Sequence, residues 1–280
     1  MVAIDANFGA TFDGLTISLI LYGVTCGQAI FFFRTYYARN ELLLKTLVGG
    51  TWVVDTFHTV LIIHSTWHYL ISKISPQALQ TANWSIITQI IPTEIIAVAV
   101  DCYFVHRIWR LSNSNKTMKA MALLLPTICA YGVSIAYVVK CYRFPAFVDA
   151  KKEEWLLGTF SSLRMAVDIA IACSMCILLY SKRDLAMPRT RLLLKNLIQF
   201  TVATGLLTSM FTTAYIISAF TMPSNMIYIG IYFVHGKVYL NSMLAALNSR
   251  DRFKNSVPVV VMESGDTDLE FSSCAATMSG

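Results

Sequence analysis

A chain of 280 residues in which 56% are hydrophobic and 14% charged, with a mean hydropathy of +0.58, is too apolar for an ordinary soluble domain and reads as a polytopic membrane protein. Its formal charge is +6, but the basic residues sit in short clusters between apolar runs, which fits a cytoplasmic membrane face and excludes nucleic-acid binding. Seven cysteines, most of them inside apolar runs (Cys26, Cys102, Cys129, Cys173, Cys176), read as small buried hydrophobes and imply no disulfide framework.

No Lys or Arg precedes Arg34, so the first apolar run lacks the basic flank of a cleavable signal peptide and is expected to be retained. Seven apolar runs follow one another at residues 14–33, 46–71, 84–105, 120–139, 155–180, 197–220 and 226–247. Each is near the roughly 20 residues that cross the hydrocarbon layer at about 1.5 Å per residue. Their length rules out the strands of a membrane barrel, and lipid obliges each span to satisfy its own backbone. The expected fold is all-α, one domain of seven transmembrane helices over residues 1–254, followed by a disordered cytoplasmic tail over 255–280. That tail is rich in Ser and Thr and carries Glu263, Asp266, Asp268 and Glu270.

Lys and Arg set the orientation. Fifteen of them flank or fill the loops after spans 1, 3 and 5 and the start of the tail, against five on the other side (Lys73, Lys140, Arg143, Lys151, Lys152). The N-terminus is therefore expected outside and the C-terminus in the cytosol. Gly23 and Gly27 form a small-xxx-small pair through which another helix can approach span 1. Pro92 and Pro126 are expected to kink spans 3 and 4, freeing backbone carbonyls.

Six charged residues fall inside the spans: Asp55 in span 2, Glu94 and Asp101 in span 3, Arg164 and Asp168 in span 5, and Lys237 near the middle of span 7. A charge at that depth costs several kcal/mol unless it is paired, snorkels or lines a wet cavity, on the order of 3 kcal/mol even on lenient scales. Arg164 and Asp168 lie four apart and are expected to pair within their own helix. Asp55 and Lys237 share a depth, so they are expected to meet if spans 2 and 7 are neighbours; snorkelling to the headgroups is the other reading of Lys237. Glu94 has no evident cation. It is expected to be neutral, to share a proton with His58 or another polar group, to face a wet cavity, or to bond a carbonyl freed by Pro92. Asp55, His58, Glu94, Asp101, Lys237 and Asn241 are thus the candidates for ligand or proton binding. His64 and His68, at helical spacing, are too few for a zinc site without further ligands, and no catalytic or metal residue is assigned.

Three stretches carry a resemblance: residues 21–37 (LYGVTCGQAIFFFRTYY), 42–61 (LLLKTLVGGTWVVDTFHTVL) and 233–253 (FVHGKVYLNSMLAALNSRDRF). Together they resemble a group of seven-helix membrane proteins of basidiomycete fungi ending in a domain of unknown function with the pattern Lys-x-Tyr-x-Asn-Ser-x-Leu-x-x-Leu-Asn-x-Arg. In this chain the pattern is Lys237, Tyr239, Asn241, Ser242, Leu244, Leu247, Asn248 and Arg250. The resemblance implies the architecture and a fungal origin, and no activity. Rhodopsin-like receptors match in helix number, but span 3 ends Asp101-Cys102-Tyr103 rather than Asp-Arg-Tyr, and span 7 lacks Asn-Pro-x-x-Tyr. Microbial rhodopsins carry a lysine like Lys237 for a retinal Schiff base, yet the acid usual four residues earlier is Phe233. Seven-helix zinc hydrolases would need paired histidines in the last helix, where only His235 stands. Membrane terpene cyclases share the mixture of aromatics and buried carboxylates without a motif.

A receptor-like sensor is the first expectation for function, with the bilayer, a small apolar or amphipathic ligand and a cytoplasmic signalling partner as its surroundings. A proton-coupled transporter using Glu94, Asp101 and Asp55 is the second, and a membrane enzyme acting on a lipid or terpenoid the third. The plasma membrane is the default address.

Overall fold

The computed structural model describes residues 2–37, 41–72, 81–112, 116–144, 154–183, 188–222 and 226–255. The elements are helices: α1 (Val2–Thr35), α2 (Leu42–Trp67) with a π turn at its end (His68–Ser72), α3 (Trp84–Thr88), α4 (Ile90–Leu111), α5 (Lys116–Arg143), α6 (Glu154–Arg183), α7 (Pro188–Thr221) and α8 (Ile227–Asn255). The tail expected over 255–280 lies outside the described residues save for its first.

Five stretches among the described residues are long and apolar enough to cross a membrane: Gly9–Thr35, Leu42–Ser72, Trp84–Arg110, Ala120–Arg143 and Trp155–Ser181. The first and fourth are only 22% buried, and their outward faces carry Ile17, Ile20, Met121, Leu125 and Ile128. Large apolar side chains on an outer surface are what lipid contact requires, and the chain is an integral membrane protein on this composition. α7 adds a shorter apolar stretch, Gly205–Thr221. The seventh expected span, α8, is different in kind. It holds His235, Lys237, Asn241 and Asn248, yet residues 226–249 include no exposed position. Its polarity is tolerated because helices surround it: α1, α7, α4 and α2 all pack on it.

α1 and α8 run parallel. Thr11 lies against Met226, and the amides of Asn241 and Asn248 donate to the carbonyls of Leu21 and Gln28, each at 3.0 Å. At the top of this seam a Cβ on Gly14 would fall 2.5 Å from Gly230 Cα, and one on Gly230 would fall 2.4 Å from Ala10 O. Only glycine fits both places, and the backbones meet there. Gly23 and Gly27 do not perform this role, since a Cβ on either would meet nothing within 4 Å. Spacing marks where close approach is allowed; the face turned toward α8 decides where it happens.

Neighbours in sequence are antiparallel. Trp52 Nε1 donates to Cys26 Sγ across α2 and α1 at 3.4 Å, Gly205 and Gly158 admit Ala172 and Phe220 between α6 and α7, and Thr212 bonds His235 between α7 and α8. The third span runs through α3 and α4 as one stretch, Trp84–Arg110, with Gln89 between them helical in backbone and bonded to Ser85 and Thr93. Pro92 stands in the first turn of α4, where its missing N–H is no loss, while its ring crowds the carbonyl four residues back, at Thr88. Pro126 sits inside an unbroken α5, and the Thr127 hydroxyl donates to the Leu123 carbonyl at 3.0 Å.

Apolar clusters close both ends of the bundle core. One gathers Phe32, Val100, Phe104, Met243 and Leu247; the others gather Tyr137, Phe160 and Tyr215, and Ile62, Tyr69 and Phe233. Between them, around the middle of α8, lies a belt of charged and polar side chains.

Candidate functional site

The belt has two halves, on opposite faces of α8. Successive helix residues turn by about 100°, so Lys237 and Tyr239, two apart, point away from each other by roughly 200°.

On the first face, Lys237 meets α2. Its Nζ donates to Asp55 Oδ1 at 2.6 Å, to the Asp55 carbonyl at 3.1 Å and to Thr59 Oγ1 at 2.6 Å. Both charged side chains are 0% exposed. An ammonium has three donors, and here each has an acceptor. Asp55 and Thr59 are one turn apart on α2, which puts both on the face toward α8, and the Tyr22 ring of α1 lies 5.0 Å from Nζ. Gly236 makes the approach of α8 feasible: a Cβ there would sit 3.3 Å from Thr93 Cγ2 and 3.5 Å from His58 Cε1. His58, one turn from Asp55, bonds Thr93 Oγ1 through Nε2 at 3.1 Å. The ion pair read from shared depth is thus present, and snorkelling is not the arrangement adopted. A retinal imine at Lys237 would forfeit bonds that the ammonium now makes. Asn241 is engaged with α1 and with the Lys237 carbonyl, as a tie between helices.

On the second face the sequence expectation is corrected. Arg164 of α6 does not close on Asp168; its Nη2 lies 2.7 Å from Asp101 Oδ2 of α4, with both side chains almost fully buried. Asp168 instead accepts a hydrogen bond from the Tyr239 hydroxyl of α8, and the guanidinium carbon stands 5.5 Å from the Tyr239 ring. Glu94, 4% exposed, lies within Coulombic range of Arg164 and Asp101. It makes no direct ion pair among the described residues, and the guanidinium that acts on it from a distance is the one the sequence had assigned to another acid. An intrahelical pair is worth about 0.2–0.5 kcal/mol, whereas a contact between α6 and α4 also ties two helices together, and that geometry prevails.

The second half is incompletely satisfied. The 2.7 Å contact of Arg164 with Asp101 is a charge contact without hydrogen-bond alignment, and Arg164 Nε, Arg164 Nη1 and Glu94 Oε2 have no hydrogen-bond partner. A cavity of about 40 Å³ opens beside it, between α4, α6, α7 and α8, lined by Asp101, Asp168, Thr208, Tyr239 and Ser242 among apolar neighbours. Further along α8, His235 Nε2 bonds Thr212 Oγ1 at 3.0 Å, and its ring stands 5.1 Å from Tyr239.

Of the six candidates, the structure brings together Asp55 and Lys237 with His58 nearby, and Glu94 with Asp101 across the helix; Asn241 belongs to the α1 seam. Sequence reasoning missed Arg164, Asp168 and Tyr239 as members of one cluster. The sign was available in the motif itself, since Lys-x-Tyr places polar groups on two faces of one helix, and only a helix enclosed on both sides can bury them. His64 packs its ring 4.9 Å from Trp84, and His68 stands edge-on to Tyr69. Among the described residues no group of three His, Cys, Asp or Glu side chains is placed to hold a metal.

Residues 164–252, about a third of the chain, match the model of a family of unknown function (DUF6534). The matched stretch begins at Arg164 and contains Asp168, Lys237, Tyr239 and Asn241, so it takes in α6 and α8 members of both halves of the belt. No curated protein and no solved structure is similar to the chain.

Proposed function

We propose that the chain is a seven-helix membrane protein, its N-terminus outside and its C-terminus in the cytosol, that acts as a receptor-like sensor with the Arg164 cluster as its switch. The observation that carries this reading is the contrast on α8: one face is locked by a fully satisfied ammonium, while the other carries a buried, under-satisfied charge cluster beside a cavity. A switch needs an element with two arrangements of similar energy, and on the second face it is the charged donors themselves that have bonds still to make, whereas on the first the ammonium is satisfied and only Asp55 Oδ2, His58 Nδ1 and Asn241 Oδ1 are not. Parallel packing of α1 and α8 supports seven crossings, because two parallel helices separated by alternating ones enclose an odd total. The imbalance of fifteen basic residues against five supports the orientation. The stretch matched to DUF6534 includes the motif from Lys237 to Arg250, which supports placing the chain among the seven-helix fungal proteins it resembles. The plasma membrane is the address proposed.

Two measurements test the reading. A cysteine introduced near Pro188 should stay unlabelled by an impermeant reagent on intact cells; labelling there would reverse the orientation. With the full-length protein in nanodiscs, an environment-sensitive fluorophore at that cysteine should respond when small amphipathic compounds are added on the opposite side, and a response equally present in Arg164→Gln would remove the cluster from the switch. One observation favours a second reading, a proton-coupled carrier: three carboxyl groups surround a single guanidinium. Net proton flux in liposomes would decide for it.

A further inference from the structure

Asp168 was read from the sequence as a partner for Arg164, and the structure releases it from that role. The guanidinium is turned to Asp101, Asp168 faces the cavity, and the hydroxyl of Tyr239 donates to it. One guanidinium offsets one of the three carboxylates. Glu94 and Asp168 are left over in a region that is more than nine-tenths buried, where an uncompensated charge is costly.

A second, independent feature points to what fills the cavity. A volume of about 40 Å³ exceeds the 10–15 Å³ or so that one water needs, and the wall includes Asp101, Asp168, Thr208, Tyr239 and Ser242 among an equal number of apolar residues. Asp101, 2% exposed and on the cavity wall, has an Oδ2 with a charge contact to Arg164 but no hydrogen bond. Arg164 and Glu94, which do not line the cavity, also carry buried atoms without a hydrogen-bond partner. Buried polar atoms in native proteins almost always find a protein or water partner.

We propose that this cavity is a hydrated proton-binding site, and that Asp168 is the carboxyl that takes up and releases the proton. The chemistry is a single transfer: a hydronium in the cavity gives H⁺ to a carboxylate oxygen of Asp168, an oxygen lone pair forms the new O–H bond as one O–H bond of the hydronium breaks, and a neutral water is left; release is the reverse. Arg164 keeps its charge and Asp101 remains its counter-ion. The groups acting on Asp168 are Glu94 and Asp101 from α4, Arg164 from α6 and Tyr239 from α8, with Thr208 of α7 on the same cavity wall. Tyr239 is a positioning residue, fixing the carboxyl toward the water by its hydroxyl. The inference rests on the reading of the Arg164 cluster as a switch and names its input as a proton.

Infrared difference spectroscopy on the full-length protein in nanodiscs, recorded across a pH step, tests it. A protonated-carboxyl stretching band should grow as the pH falls, vanish in Asp168→Asn and persist in Glu94→Gln. Tyr239→Phe should move the band to higher frequency, since the carboxyl loses a hydrogen-bond donor. Should Asp168→Asn fail to fold, Ser242→Leu, which fills the cavity, should slow the exchange of the band in heavy water without removing it. A band that disappears in Glu94→Gln and survives in Asp168→Asn would overturn the assignment, as would the absence of any titrating carboxyl band or an unchanged exchange rate in Ser242→Leu. The band reports proton occupancy whether or not the cytoplasmic face moves, so its failure is distinguishable from failure of the sensor reading.

Discussion

Lys237 and Arg164 are both cations buried at the middle of the bundle, and both touch the same helix, but their surroundings have little in common. The ammonium has three donors, three acceptors and one acid, all supplied by a single turn of α2. The guanidinium has five donors, one charge contact and three acids from two helices, with space beside it. An ammonium whose donors are all taken loses by any rearrangement, even with Asp55 Oδ2 beside it unpartnered. A site whose cation has bonds still to make can gain by admitting water, a proton or a new partner, and this separates a clamp from a switch.

The comparison breaks most visibly at Lys237. Removing one partner of a buried ion pair strands the other, at a cost of about 3–5 kcal/mol, whereas removing both is often close to neutral. Lys237→Met and Asp55→Asn should each lower stability by that much, seen as a lower thermal unfolding temperature in detergent, and the double variant should recover most of it. Additive losses would show that the two side chains do not act as a pair. Arg164→Gln should cost less, about 1–3 kcal/mol, because its carboxyl neighbours can regain neutrality by holding protons. An equal loss at both sites would erase the distinction between them.

Why one half of the belt was legible in the sequence and the other was not comes down to what spacing encodes. Depth follows from counting along a helix, so Asp55 and Lys237 could be matched across the bundle. Direction around the axis does not identify a partner: Arg164 and Asp168 stood at ideal intrahelical spacing, yet the guanidinium reaches across to Asp101 and leaves Glu94 within its field. The same limit applies to the glycines, where Gly23 and Gly27 had the right interval on the wrong face. The all-helical fold and the positions of most helices were readable from the length of the apolar runs. That Lys237 points inward to neighbours on other spans was inferred; that α8 is enclosed on both faces was not, although its polarity only makes sense in a helix surrounded by others.

A smaller effect sharpens the comparison by moving α8 against α1. Gly14→Ala or Gly230→Ala would place a Cβ 2.4–2.5 Å from backbone atoms of the facing helix, which cannot yield as a side-chain tip can, and overpacking of this sort costs about 1–3 kcal/mol. Tyr22, Leu21 and Asn241 lie on this seam, on the Lys237 side of α8, so the clamp should suffer first. Gly23→Ala and Gly27→Ala face open space and should stay within about 0.5 kcal/mol of the parent. If all four substitutions behaved alike in thermal unfolding, the seam would not be the close contact that fixes α8.

The smallest expected effect concerns the two amides that hold α8 to α1. Asn241 and Asn248 are seven residues apart, as are their acceptors Leu21 and Gln28, so the bonds recur after two turns, roughly 10 Å along parallel axes. Interhelical hydrogen bonds in membranes average only about 0.6 kcal/mol, because the separated helices also find partners. Asn241→Ala and Asn248→Ala should each lower stability by about that amount. Sites so far apart and without a shared partner should add, giving about 1.2 kcal/mol for the double variant. Asn241 also bonds the Lys237 carbonyl, which makes it the more informative of the two. If Asn241→Ala cost several times more than Asn248→Ala, and that excess vanished in a Lys237→Met background, the amide would belong to the clamp as well as to the seam.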